Sequence, residues 1–205
     1  QYMTQKNGPY DLFFTAATVL TLAPQFSSVG YNPSDIIPVV SVDQEQFGLF
    51  VNPEKTGINN FEDLIEFGKT HQIKFGSGGP GNITHILQDA LYKEAGANAV
   101  TIPHGSAMEG LINVLGGHVD VTLAGLELAR GYVEEGSLVP IVVYGKEAYK
   151  GYENSISTSV PTVVEKGYDY PYLNLMLFAA KKGTDARAIQ AIYDAAMRAY
   201  QDPSC

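Results

Sequence analysis

The sequence predicts an α/β protein with mainly parallel sheets, divided into two lobes. Strand-like and helix-like segments alternate along most of the chain, as parallel β–α–β units require. Several apolar runs end in glycine- or hydroxyl-bearing turns that lead straight into amphipathic stretches, which places helix N-termini at strand ends. The middle of the chain is the most regular part and its two ends differ from it. One lobe is therefore expected from residues 49–144 and the other from residues 1–48 and 145–205, with crossings near Val42 to Asn52 and after Tyr144.

The elements follow in order. Leu12 to Phe14 reads as a short strand ending at Thr15-Ala16-Ala17-Thr18. Ile37 to Val42 and Phe47 to Val51 read as a strand pair flanking the polar turn Asp43-Gln44-Glu45. Asn60 is placed to cap a helix with Asp63 in its first turn and Leu64, Ile65 and Phe67 following. Lys74 to Gly76 is a strand, then a glycine-rich turn, then a helix from Ile83 to Ala95 whose C′ position suits Gly96. Val100 to Ile102 is the next strand. Ser106 to Glu109 has capping-box spacing and opens a helix through Leu111, Ile112 and Leu115, ended by Gly116-Gly117. Val119 to Leu123, Leu126 to Glu135 and Leu138 to Tyr144 read as strand, helix and strand. Gly151 to Val160 is polar and irregular. Pro161 to Glu165 reads as a short helix with proline in its first turn, Tyr172 to Ala180 as a strand, and Thr184 as the cap of a last helix.

Composition narrows the function. The 205 residues are 45% hydrophobic and 17% charged, enough to bury a core. A net charge of -9 argues against a nucleic-acid binder, which needs a basic face to neutralise phosphates. It leaves a small anion open, because such a ligand responds to local N–H groups more than to distant, screened charges. The single cysteine, Cys205, cannot form an internal disulfide or a cysteine-based metal site. No apolar run is long enough to span a membrane. The first residues, Gln1 to Lys6, do not have the pattern of a signal peptide.

The segment Phe75-Gly76-Ser77-Gly78-Gly79-Pro80-Gly81-Asn82-Ile83-Thr84-His85 carries the most chemistry. Its glycines let backbone approach a ligand, and the helix start supplies unpaired N–H donors and a partial positive charge. Ser77, Asn82 and Thr84 add neutral hydrogen-bonding groups. Gly78, Gly79 and Gly81 with these three, and His85 behind them, form a candidate site for a carboxylate or phosphate oxygen. A tight turn with its own Asn or Thr cap fits the same spacing. A phosphate loop of the nucleotide type would end in Gly-Lys-Ser/Thr, and none is present. Gly76, Gly78 and Gly81 have dinucleotide-fingerprint spacing, but Val100 to His104 offers no acid to hold a ribose. Three further strand ends are candidates: Gly105 and Ser106 beside His104, although Ser106 can be spent on capping; Ala124, where a small side chain leaves room; and Thr15, Ala16 and Ala17.

These same residues carry a resemblance. Lys74 to Asn82 followed by His85 looks like the Tyr-Gly-Ser-Ala-Gly-x-Gly-Ser-x-x-His stretch of the tripartite tricarboxylate transporter binding proteins, the Bug family. Ile102 to Ala107 lies where that family has Val-Pro-Tyr-Lys-Gly. Leu115-Gly116-Gly117-His118-Val119-Asp120 resembles its Leu-Leu-Gly-Gly-x-Val-Asp, and Val160 to Tyr168 its Val-Pro-Thr-x-x-Glu-x-Gly. The order and spacing of all four agree, from about Tyr10 to Tyr200. The resemblance implies a two-lobed clamshell like the type II periplasmic binding proteins. It implies capture of a small carboxylate outside the cytoplasm and its delivery to membrane permease subunits, with no cofactor. Nothing before Tyr10 matches the family's opening strand and Gly-Gly loop, and the C-terminal end looks short. Where many members place Asp, Leu123-Ala124 stands here.

Rival readings meet specific obstacles. An enzyme of acyl or phosphoryl transfer would need a nucleophile–base pair: Gly76-Ser77-Gly78 is not a nucleophile elbow and no base can be named for Ser77. No metal is expected, since no His-x-x-x-His occurs and His71, His85, His104 and His118 do not pair at ligand spacing. Asp120 reads as a buried hydrogen-bonding residue. An effector-sensing domain of a regulator would share the two-lobed plan but calls for a DNA-binding segment. Arg130, Arg187 and Arg198 all fall in helices away from the glycine-rich turns, so an acid would be held by neutral donors. Of the 13 tyrosines, Tyr10, Tyr144 and Tyr172 are candidate crevice residues.

Overall fold

The computed structural model describes residues 8, 11–26, 28–152 and 159–202. Tyr10 and Cys205 lie outside them, as does part of the irregular stretch after Gly151. In chain order the elements are β1 (Phe13–Ala16), α1 (Ala17–Thr21), α2 (Ala23–Phe26), β2 (Ile36–Glu45), β3 (Phe47–Val51), α3 (Pro53–Thr56), α4 (Phe61–Thr70), β4 (Ile73–Ser77), α5 (Ile83–Glu94), β5 (Ala99–Pro103), α6 (Ala107–Leu115), β6 (Val121–Gly125), α7 (Leu126–Glu134), β7 (Val139–Tyr144), β8 (Asn174–Lys181) and α8 (Ala186–Tyr200).

The chain forms two units: Glu45–Leu173, and Gln1–Gln44 with Asn174–Cys205. The larger holds a five-stranded sheet of order β5-β4-β6-β3-β7. β4 runs parallel to β5 and β6, while β3 runs antiparallel to both β6 and β7, so four of the five strands point one way. Alternate side chains along each strand face opposite sides. Leu49, Val51, Val121 and Leu123 pack on one side with Phe61 and Leu64 of α4 and Leu87 and Leu91 of α5. Phe50 and Ala124 pack on the other with Leu111 of α6 and Leu126, Ala129 and Val133 of α7. Helices cover both faces, which explains why β3 and β6 are buried at every position and read as continuous apolar runs.

Residues 145–173, assigned from the sequence to the lobe built from the two ends, group with the larger unit. Val143 bridges to Thr162 and Tyr149 to Val160. The Tyr152 hydroxyl donates to the Leu126 carbonyl at 2.7 Å. Arg130 on α7 grips Glu127 through two nitrogens, donates to the Gly151 carbonyl at 2.9 Å and meets the Tyr149 hydroxyl at 3.1 Å. Nothing in local composition signals these pairings.

The smaller unit has the sheet order β1-β8-β2, with β1 antiparallel to β8. Its core is Ile36, Leu177 and Ala179, with Phe13, Ala17 and Leu20 against them.

Several local expectations are corrected. β2 and β3 are not a hairpin: β2 continues through Asp43-Gln44-Glu45 and joins the smaller sheet, while β3 enters the larger one. Residues 163–167 form a turn rather than a helix. Thr162 and Glu165 still exchange a reciprocal cap, Glu165 N–H to Thr162 Oγ1 at 3.0 Å and Thr162 N–H to Glu165 Oε2 at 2.8 Å. The cap of α8 is Asp185, whose carboxylate accepts the Arg187 N–H, whereas the Thr184 hydroxyl donates to Lys181 O. Tyr144 is fully buried, its hydroxyl donating to Leu87 O at 3.2 Å, so it is a core residue. Tyr172 packs beside the Phe47 ring.

Candidate functional site

The parallel register of β4 and β5 pairs Gly76 with Ile102 and Ser77 with Pro103, so both strands end side by side. Each leads into a helix, α5 or α6. The two helix N-termini therefore meet at the carboxyl edge of the sheet, where ligands bind in open α/β folds. Between them lies a cavity of about 220 Å³ lined by Gly78, Asn82, Thr84, His104, Gly105, Ser106 and Ala107.

The first wall is the loop from Ser77 to Thr84. Gly79 (φ 86°) and Gly81 (φ 83°) occupy the left-handed region, which glycine enters without a Cβ penalty. The Gly78 N–H donates to Thr84 Oγ1 at 2.9 Å, and that hydroxyl donates to Asn82 Oδ1 at 2.9 Å. Asn82 Oδ1 also accepts the Thr84 N–H at 3.0 Å, which makes Asn82 the N-cap of α5. Ser77 is fully buried; its Oγ accepts the Gly79 N–H at 3.1 Å and lies 2.7 Å from Thr101 Oγ1. The Ser77 and Thr84 hydroxyls thus build the loop rather than face the cavity with free hydrogens. Among the described residues, no protein acceptor is found for the N–H groups of Gly81 and Ile83.

The loop is held from behind by Gln88, a fully buried side chain on α5. Its Nε2 donates to Gly76 O at 2.9 Å and Thr84 O at 2.8 Å, tying the strand end to the first helical turn. Thr122 on β6 adds a bond to Gly76 O at 3.3 Å.

The second wall departs from the expected capping box in one detail. Ser106 Oγ accepts the Glu109 N–H at 3.2 Å, as the spacing predicts, but the Glu109 carboxylate accepts from Gly105 N–H at 2.7 Å rather than from Ser106. Among the described residues, the Ser106 and Ala107 N–H groups have no protein acceptor. Both walls therefore present free backbone donors, and each helix N-terminus adds roughly half a positive charge.

His104 stands in the strand-end segment Pro103 to Ala107 that the sequence marks as a candidate, but the sequence assigns its ring no ligand role. Its backbone N–H donates to Ser77 O at 2.9 Å and extends the β4–β5 ladder. Its ring occupies a slot made by two glycines. A Cβ at Gly110 would lie 2.6 Å from Nε2, and one at Gly76 would lie 3.2 Å from Cδ2. Nε2 is 3.5 Å from Thr122 Oγ1, while Nδ1 is buried with no hydrogen-bond partner among the described residues. Burial pushes its pKa below the usual histidine value, opposed by the negative charge of Glu109. Gly76 and Gly110 lie far apart in sequence, so nothing local marks the slot.

The other candidates lie elsewhere. His85 is on the first turn of α5 with its ring 5.9 Å from Phe75, a packing position outside the cavity lining. Ala124 is 1% exposed inside the core against α6 and α7, so its small side chain leaves no room for a ligand there. Thr15, Ala16 and Ala17 sit at the β1–α1 junction of the smaller unit. Among the described residues, no group of three or more His, Cys, Asp or Glu could hold a metal ion, and no helix is long and apolar enough to cross a membrane.

The fold is that of the periplasmic solute-binding proteins. It superposes on the periplasmic binding protein BugD with a TM-score of 0.83 at 20% identity, covering 98% of this chain and 67% of that one. It superposes on MatC of Rhodopseudomonas palustris, a structure with bound malate, at 0.79 with 17% identity, covering 96% and 67%. A further R. palustris protein, solved with adipate, gives 0.81 at 18% identity, covering 97% and 66%. Residues 2–205 match the family described as the tripartite tricarboxylate transporter family receptor, and the chain belongs to that family. A UPF0065 protein of Cupriavidus necator is 28% identical over 207 residues, 98% of this chain and 61% of the relative. The chain thus spans about three fifths of that relative's length.

Proposed function

We propose that this protein is an extracytoplasmic solute-binding receptor that captures a small organic carboxylate without transforming it and hands it to the membrane subunits of a tripartite tricarboxylate-type transporter. The observation that carries the reading is the meeting of two helix N-termini at one cavity with free N–H groups on both walls. Such donors suit a carboxylate oxygen, which accepts several short hydrogen bonds at once. Among the described residues, no lysine or arginine lines the cavity. The grip is therefore one of oriented dipoles, which favours a small anion over a polyphosphate. The ligands of MatC and of the adipate-bound protein point to the same class. Gly78, Gly79, Gly81, Asn82, Thr84, Gly105 and Ser106 are the proposed contacts, with Ser77 and His85 in support.

Calorimetric titration of the intact protein with malate, adipate, succinate, citrate and aromatic acids tests this directly. Saturable binding by at least one acid, with neutral sugars and amines inert, is expected. Absence of binding across the acids would refute the proposal.

A further inference from the structure

The donors on both walls are neutral, yet one cavity-lining residue can carry a full positive charge. We infer that His104 is a specificity-determining residue of this site, an imidazole that takes up a proton when an anionic ligand group enters and so selects ligands that keep a negative charge there. The inference rests on the carboxylate reading above and adds to it a residue, a charge state and a sign of pH dependence.

Three observations carry it. His104 lines the same cavity as Gly78, Asn82, Ser106 and Ala107. Its Nδ1 is the single buried side-chain nitrogen or oxygen without a hydrogen-bond partner among the described residues, and such an orphan has a cost that a native fold seldom leaves unrecovered. The slot is shaped for the ring, because any side chain at Gly110 would strike Nε2.

The charges around the ring fix the sign. Glu109 on α6 is the charged group whose field reaches it; Gly76 of β4 and Thr122 of β6 are neutral. Without ligand, burial favours the neutral imidazole, against the pull of Glu109. A bound carboxylate adds a second negative charge to that of Glu109, and the pair favours the imidazolium. The pKa is then higher in the complex than in the free protein. Binding takes up a proton, and affinity rises as pH falls through the bound-state pKa, levelling off below the free-state pKa.

The test is calorimetric titration of the acid that binds best, from about pH 8 to about pH 6, where dicarboxylates stay largely ionised. It is run on the wild-type protein and on His104→Gln and His104→Asn, which keep an amide in the slot but cannot carry charge. An opposite charge at close range moves a pKa by about one unit or more, and each unit is worth up to about tenfold once pH falls below the free-state pKa, so wild-type affinity should rise several-fold across this range. The variants should show only the weak dependence owed to the ligand's own ionisation. Repeating the wild-type titration in buffers of different ionisation enthalpy should reveal proton uptake that the variants lack. Equal pH dependence in wild type and in whichever variant folds overturns the role of His104 and leaves the carboxylate reading intact. Failure of every acid to bind at any pH overturns both.

Discussion

Gly78→Val should weaken carboxylate binding severely in a protein that still folds. Gly78 is exposed, and its φ is not in the left-handed region, so valine is not barred by the backbone. The obstacle is local: an added Cβ would lie 2.6 Å from both Cγ and Nδ2 of Asn82. Asn82 must move, and with it the cap that accepts the Thr84 N–H. Losing such a cap costs about 1 kcal/mol of stability, a small part of the whole. Binding suffers more, because the isopropyl group enters the cavity and the first turn of α5 loses its aim. A loss on the order of a hundredfold in affinity is expected, about 2.7 kcal/mol. Gly131→Ala is the control. Among the described residues nothing lies within 4 Å of the added methyl in the middle of α7, so stability should rise by roughly 0.5–1 kcal/mol with affinity unchanged. Calorimetry and denaturant melts on the two variants separate the effects.

Phe50→Ala should be the most damaging single change to the fold. Phe50 is fully buried on β3, a strand paired on both edges, and packs with Leu111 of α6 and Leu126 of α7. Removing its ring loses the transfer energy of the aromatic carbons and leaves a cavity that paired strands cannot collapse to fill. About 3–5 kcal/mol is expected, against a typical total of about 5–15 kcal/mol. Urea unfolding should show the midpoint falling steeply with little change in slope. A loss below about 1 kcal/mol would mean that this face of the sheet is not the core described here.

The helix starts were legible because their chemistry is local. Asn60 caps α4 by accepting the Asp63 N–H, Ser106 caps α6, and Gly96 takes a left-handed φ after α5, each as spacing requires. The mainly parallel sheet was legible for the same reason, since strand–turn–helix units repeat through the centre of the chain. What escaped depends on partners remote in sequence. Periodicity cannot say that β2 and β3, separated only by Gln46, enter different sheets. A small residue at a strand end looked like room for a ligand, but Ala124 is packed against two helices. Ser77 looked like a ligand hydroxyl, but Thr101 on the neighbouring strand engages it. The slot for His104 needs two glycines 34 positions apart, Gly76 and Gly110, and became visible only when the strands were paired.

The most direct measurement of the central claim is an amide ¹H–¹⁵N titration of the intact protein with the acid that binds most tightly. The free donors of Ile83, Ser106 and Ala107 should shift most, together with Gly78, Gly81 and Gly105, and saturate with the calorimetric affinity. Saturable shifts confined to another surface, such as the groove of Glu62, Lys69, Lys166 and Tyr168, would contradict it.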